Sequence, residues 1–262
     1  MNKNPKHLII KPRGPALWII LNRPETKNAF NLELGKELLE AVGSGIKDKN
    51  HSVLILSGAG DTFSAGGDIK LMGEMKQPKG FFLEISRLVH STVKEIRNTE
   101  KPVLACIPGY VGGIAFGAIL GCDLRIASTT AQFNAATIRI GLVANGGATY
   151  YLPRLLGLGK ASEILFLGDI VSAEEALRIG LVNKIVEPAL LESETQKIAE
   201  RLAASPRKAM GRLKKILNAG LTSSLATQLE RERQAIAWSS TTSDFQEGIS
   251  AFLEKRKPNF NS

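Results

Sequence analysis

Cysteine is nearly absent, with Cys106 and Cys122 the only two in 262 residues. Both sit in apolar surroundings, where a small buried hydrophobe is the usual role, and their spacing fits no zinc motif. Histidine is as scarce: His7, His51 and His90 are scattered, so no metal cluster is expected. No apolar run reaches the roughly 18 residues that a membrane span requires. The longest candidate, residues 103–120, is broken by Pro108, Gly109, Gly112, Gly113 and Gly117. Residues 1–6 are polar and lead straight into a strand-like run, without the charged-then-apolar order of a secretory leader. A cytoplasmic protein without a membrane partner is expected. Aromatic residues make up only 6% of the chain, and few stand among its basic clusters, which argues against a base-stacking surface for nucleic acid.

What is present is a 44% hydrophobic composition, enough for one large domain or a domain with a smaller helical appendage. The formal net charge is +9. Most cations are dispersed, but Arg207-Lys208, Arg212-Lys214-Lys215 and Lys255-Arg256-Lys257 form short clusters in helix-like segments. Two readings stay open for these clusters: a solvated face, or contacts to a small polyanion.

Residues 7–10 and 16–21 read as two strands about a Gly14-Pro15 turn. Asn31 reads as the N-cap of a helix to Lys47, because Leu34, Leu38, Val42 and Ile46 recur every four residues. Strands follow at 53–56, 103–107, 124–127 and 182–186, with helices at 81–97 and 114–121. Ser172 and Glu175 have capping-box spacing, and Gly180 closes the helix they open. Alternating strands and helices point to an α/β fold rather than a sandwich. After Pro188 the pattern is helical only: 191–204, 206–219 with Ser205 as cap and Pro206 first, 225–238, and 245–254 behind Asp244. The expected division is a core over 1–190 and a helical C-terminal region over 191–262.

Two glycine-rich elements, residues 63–69 and 108–117, each follow a strand and enter a turn or helix. Glycine lets a ligand approach the chain closely, and first-turn N–H groups without intrahelical partners favour an anion or a developing oxyanion. Neither element has dinucleotide or P-loop spacing. Tight packing alone is the competing explanation for either one.

Residues 22–30, 63–69, 101–103, 108–110, 122–127, 131–133, 141–142, 152–155 and 247–256 are similar, in order and spacing, to the enoyl-CoA hydratase/isomerase (crotonase) family. The resemblance covers nearly the whole chain. It implies a spiral of ββα units, a helical trimerisation region, and a homotrimer or homohexamer. The implied substrate is an acyl-CoA thioester of fatty acid metabolism, with coenzyme A part of the substrate and no prosthetic group. The implied activity is that of a lyase or isomerase. The oxyanion donors it implies map to the backbone N–H groups of Gly67 and Ile114. Coenzyme A contacts map to Arg23, Lys27, Ala65, Gly66, Asp68, Ile69, Lys70 and Gly113, with Phe252 and Lys255 reaching a neighbouring subunit's coenzyme A. The acyl pocket would be walled by residues 71–85, with Met72, Met75, Phe81 and Phe82 as apolar surface.

The same resemblance exposes a departure. The two catalytic glutamates typical of the family's hydratases map to Gly117 and Thr137, and an aspartate used by some isomerases maps to Asn145. General acid–base catalysis needs a titratable group within reach of the reacting carbon or its water. Glu74, Glu84, His90, Tyr150 and Tyr151 are the remaining candidates. Three activities stay open: a hydratase or isomerase with a relocated acid/base, an enolate-forming decarboxylase relying on the oxyanion hole, and a thioester-binding protein without turnover.

Overall fold

The structure is a computed structural model that describes residues 5–260. The part of the leader reading that rests on residues 1–4 lies outside the described residues. The chain runs β1 (Leu8–Arg13), β2 (Ala16–Leu21), α1 (Leu32–Lys47), β3 (Val53–Gly58), β4 (Thr62–Ser64), α2 (Ile69–Gly73) and α3 (Lys79–Asn98). It continues through β5 (Val103–Ile107), β6 (Tyr110–Gly112), α4 (Gly113–Ile119), β7 (Leu124–Ser128), β8 (Gln132–Asn134), α5 (Ala148–Leu156), α6 (Leu158–Leu167), β9 (Ile170–Ser172), α7 (Ala173–Arg178) and β10 (Lys184–Val186). Four helices close it: α8 (Leu191–Ala203), α9 (Arg207–Gly220), α10 (Leu225–Ser239) and α11 (Ser243–Leu253).

Two sheets share the work. The larger has the order β1-β2-β3-β5-β7-β10 and is parallel except for the β1–β2 hairpin; the smaller has the order β4-β6-β8-β9. Three times in succession a strand of the large sheet is followed by a strand of the small one and then by helix: β3-β4-α2, β5-β6-α4 and β7-β8-α5. This is the spiral of ββα units. Strands β3 and β5 are buried along their whole length, as expected where helices cover both faces of a parallel sheet.

The helices form where the residues demand. Asn31 Oδ1 accepts the Leu34 N–H at 2.8 Å, and Leu34, Leu38 and Val42 then line the buried face of α1. One face of the large sheet packs against α1 and α3. The other carries Trp18, Ile55 and Leu104, covered by Leu191, Ala199 and Ala203 of α8. Burying one large side chain such as Trp18 contributes about 2–3 kcal/mol. Its indole N–H donates to Gln196 Oε1 at 3.0 Å, so no polar atom is stranded.

Several boundaries differ from those read in the sequence. Helix α9 starts at Arg207 with Pro206 as N-cap, and the Ser205 hydroxyl instead donates back to the Arg201 carbonyl. Helix α11 begins one residue before Asp244, so the cap is Thr242, whose hydroxyl accepts the Phe245 N–H. The strand expected from Val182 begins at Lys184, because the Leu181 and Val182 N–H groups close the turn onto Ala176. Among the described residues no helix is long and apolar enough to cross a membrane.

Candidate active site

The two glycine-rich elements meet. Strands β4 and β6 pair in parallel, which brings the turn after Ser64 against the start of α4. Gly66 has φ +94°, and a Cβ there would lie 2.7 Å from the Gly112 carbonyl oxygen, so only glycine permits this backbone-on-backbone contact. Around it the hydrogen bonds are nearly complete: Ala65 N–H donates to Lys27 O, Phe30 N–H to Gly66 O, and Gly66 N–H to Ser64 Oγ. The Asn28 amide, fully buried, supports the turn from behind by donating to Ala59 O and Thr62 O. Gly67 N–H makes no such bond among the described residues. Ile114 N–H lies in the first turn of α4, where no intrahelical acceptor exists.

Both residues line one cavity of about 490 Å³, together with Ala65, Ile69 and Gly113. Its apolar wall comes from Phe30, Met72, Phe81, Phe82 and Ile85, with Phe81 and Phe82 in edge-to-face contact. The expected wall is therefore present, except that Met75 does not line it. The polar groups at the surface of the cavity are Lys79, Ser86, Tyr110, Asn134, Thr137 and Asn145. Burial raises the Tyr110 phenol above its ordinary range, so it stays protonated and can donate.

No carboxylate lines this cavity among the described residues. Of the acid/base candidates from the sequence, Glu84 is held on the surface by Arg87, whose bidentate contact lowers its carboxyl pKa. Glu74 is exposed at the end of α2, and Tyr150 and Tyr151 meet edge to face beside Arg154 and Arg97. His90 alone reaches the wall, and does so indirectly. Its Nε2 donates to Asn145 Oδ1 at 2.6 Å, while Asn145 Nδ2 donates to Ser86 Oγ at 2.7 Å. The Ser86 hydroxyl proton is thereby left for a ligand.

Gly117 does not reach the cavity. A Cβ there would fall 2.0 Å from the Asn145 carbonyl oxygen, because the turn at 145–147 sits directly on α4. Thr137 does line the cavity. The other expected ligand contacts stand outside it. Arg23 pairs with Asp68 at 3.6 Å and donates to Ala29 O, Asp68 also caps α2 through Leu71 N–H, and Lys27 and Lys70 are exposed. Phe252 and Lys255 lie at the far, exposed end of α11. Cys106 and Cys122 are buried, and desolvation pushes their thiols up to about 11 and about 12, so neither is a nucleophile at neutral pH. No cluster of three or more potential metal ligands occurs among the described residues.

Ser86, Lys79, Tyr110 and Asn134 were not singled out from the sequence. Ser86 carried a usable signal, standing one helical turn before His90 on the same face of α3.

Residues 15–262 match the family described as Enoyl-CoA hydratase/isomerase. A crotonyl-CoA hydratase from Syntrophomonas wolfei is 34% identical over 98% of this chain and 98% of its own length. A 1,2-epoxyphenylacetyl-CoA isomerase from Escherichia coli is 33% identical over 94% of each. Among solved structures, an enoyl-CoA hydratase from Bacillus anthracis superposes with a TM-score of 0.92 at 32% identity, covering 97% of this chain and 99% of that one.

Proposed function

This chain belongs to the enoyl-CoA hydratase/isomerase family, and from that premise we propose that it binds an acyl-CoA thioester with the carbonyl oxygen between Gly67 N–H and Ile114 N–H. Charge developing on that oxygen as an enolate forms is met by two fixed dipoles that need no reorganisation. One such donor is worth about 3 kcal/mol of barrier. The observation that carries this reading is the convergence of Gly67 and Ile114, whose amides have no hydrogen-bond partner among the described residues, on one largely apolar cavity. The acyl chain lies against Met72, Phe81 and Phe82. Coenzyme A runs outward past Ala65, Gly66, Gly113, Asp68, Ile69 and Lys70, with Arg23 and Lys27 toward its nucleotide end. Phe252 and Lys255 serve the coenzyme A of a neighbouring subunit in a homotrimer or homohexamer.

The relatives named above point to hydration or isomerisation, which require a proton acceptor near the acyl carbons. With Gly117 and Thr137 at the positions that carry glutamates in the family's hydratases, that acceptor is missing: the Ser86–Asn145–His90 chain donates throughout toward Ser86 and its amide takes up no proton, so it can orient a ligand or a water but is not a base. A second reading draws support from the carboxylate-free wall. In decarboxylation the substrate's own carboxylate supplies the electrons: the C–C bond breaks, CO2 leaves, and the pair enters the enolate held by Gly67 and Ile114. The enolate carbon then takes a proton from Ser86, Tyr110 or water. Lys79 is the cation available to orient the departing carboxylate.

The test is to incubate the protein with crotonyl-CoA, a 3-enoyl-CoA and methylmalonyl-CoA and to follow each by mass spectrometry beside a binding titration. Turnover of either enoyl substrate supports the first reading, and loss of CO2 from methylmalonyl-CoA the second. Binding without any turnover leaves a thioester-binding protein. If no thioester binds, or if the bound carbonyl shows no infrared shift to lower frequency, the oxyanion assignment fails.

A further inference from the structure

Ser86, Asn134 and Tyr110 line the acyl cavity, and each holds a hydrogen that no acceptor takes among the described residues. At Ser86 the cause can be followed from bond to bond. The Gly146 N–H, which can only donate, meets Asn145 Oδ1 at 2.7 Å and so fixes which end of that amide is oxygen. His90 Nε2, 2.6 Å from the same oxygen, is then a donor too, and Asn145 Nδ2 donates to Ser86 Oγ at 2.7 Å. The Ser86 oxygen accepts from behind, so its own hydrogen must turn elsewhere. Hydroxyls within helices often donate to the carbonyl four residues back, as Thr92 of the same helix does to Leu88 O at 3.0 Å. Ser86 makes no such bond among the described residues.

Two further groups repeat the pattern. Asn134, 7% exposed, accepts the Ala136 N–H on Oδ1 at 2.6 Å, which leaves Nδ2 as the end without a partner. The Tyr110 phenol has none either, and burial keeps it protonated. Thr137 differs, since its hydroxyl donates to Ala135 O at 3.4 Å. Lys79 is the only charged residue of the lining, so the wall offers hydrogens and one positive charge with no carboxylate to receive either. A hydrocarbon chain packed here would displace water from these donors and supply nothing in exchange. An acyl group with an oxygen of its own would complete them.

On the thioester reading proposed above, we infer that the acyl group taken by this cavity carries a second oxygen acceptor, a carbonyl or carboxylate beyond the thioester, and that Ser86 selects for it. Ser86 touches that oxygen directly. Asn145 and His90 are positioning residues, which hold the Ser86 oxygen from behind so that its hydrogen faces the ligand. A site built around a hydrogen bond discriminates more sharply than an apolar wall, because an analogue lacking the partner leaves a buried donor unpaired.

Hexanoyl-CoA is the chain without an acceptor. 4-Oxohexanoyl-CoA and 5-oxohexanoyl-CoA carry a carbonyl at two depths, and succinyl-CoA and glutaryl-CoA place a carboxylate at the same carbons. Dissociation constants are measured by titration calorimetry for the full-length parent, Ser86→Ala, His90→Phe and His90→Gln. In the parent at least one acceptor-bearing thioester should bind about tenfold more tightly than hexanoyl-CoA, and whether it is an oxo or a dicarboxylic form identifies the acceptor. Ser86→Ala should weaken that thioester about tenfold and bind hexanoyl-CoA more tightly than the parent does, a crossing that general damage to the pocket would not produce. His90→Phe should lower the preference in the same direction, and His90→Gln, whose amide can again donate to Asn145, should recover it. A parent that binds hexanoyl-CoA as well as every acceptor-bearing thioester overturns the inference and leaves the thioester reading standing. Equal weakening of all the thioesters by Ser86→Ala does the same. Failure of every thioester to bind the parent overturns both.

Discussion

Gly117 and Thr137 hold equivalent places in the family resemblance but opposite places in the structure, and they make opposite predictions. At Gly117 even a methyl group would meet the backbone of Asn145, with 2.0 Å between the new Cβ and its carbonyl oxygen. Backbone cannot rotate aside, so Gly117→Ala should cost about 2–3 kcal/mol, in the range of overpacked cores, read as a lower urea midpoint at constant slope. Thr137 lines open cavity, and Thr137→Glu should cost less than about 1 kcal/mol. It also puts a carboxylate on a wall that has none, so hydration of crotonyl-CoA should appear or rise, measured by loss of enoyl absorbance. A tolerated Gly117→Ala would show that the 145–147 turn is not seated as described. The glycine-rich pattern marked the two elements, and the family resemblance placed the expected donors at Gly67 and Ile114 within them, residues that line one cavity. Sequence alone could not reveal that a turn fills the space above Gly117, nor that His90 meets Asn145 across 55 residues, since neither depends on local pattern.

Helix α9 carries a buried cation that ties it to the core, beside the Asn218–Arg97 hydrogen bonds. Lys214 Nζ donates to Ile96 O at 2.8 Å, Lys101 O at 2.9 Å and Asp123 Oδ2 at 2.7 Å, with the lysine side chain only 8% exposed. Asp123 also accepts from Arg97 and from Val103 N–H, so it is not abandoned when the lysine goes. Removing one member of a buried ionic cluster typically costs 3–5 kcal/mol, and the remaining partners place Lys214→Met near about 3 kcal/mol. The methionine keeps the stem's packing, which isolates the charge and its hydrogen bonds; a urea midpoint equal to the parent's would refute that role. Lys214 reads in the sequence as one of a surface cluster, because period alone does not say which lysine turns inward. The long elements were legible for the converse reason: α1 and α3 repeat their apolar residues over many turns, and β3 and β5 are unbroken apolar runs. The small sheet was not, since β4, β6, β8 and β9 have three residues each, too few to display an alternation. Helices α5 and α6 have no counterpart in the sequence reading either, since Pro153 inside the first and Gly157 between them interrupt the apolar period.

At the scale of the whole molecule, the last three helices present apolar side chains that a lone chain leaves in water. Leu225, Ile236, Leu253 and Phe252 are 75%, 72%, 74% and 81% exposed, and Leu213, Leu217 and Leu229 are also more than half exposed. Single exposed apolar residues are ordinary, but so many on neighbouring helices mark an interaction surface. The expected partner is another copy, giving a mass of three or six times the 28.3 kDa chain in sedimentation equilibrium. Two charges buried in such a contact cost several kcal/mol, so Leu229→Asp/Ile236→Asp should shift the protein to lower mass without unfolding it, as judged by circular dichroism. The assembly also bears on the site. If Phe252 reaches a neighbour's coenzyme A, the dissociated variant should bind CoA thioesters more weakly than the parent, and Phe252→Ala should do so while still assembled. A parent protein that sediments as a single chain would remove both the interface and the shared site. Assembly with unimpaired thioester binding by Phe252→Ala would keep the interface and confine each site to one chain.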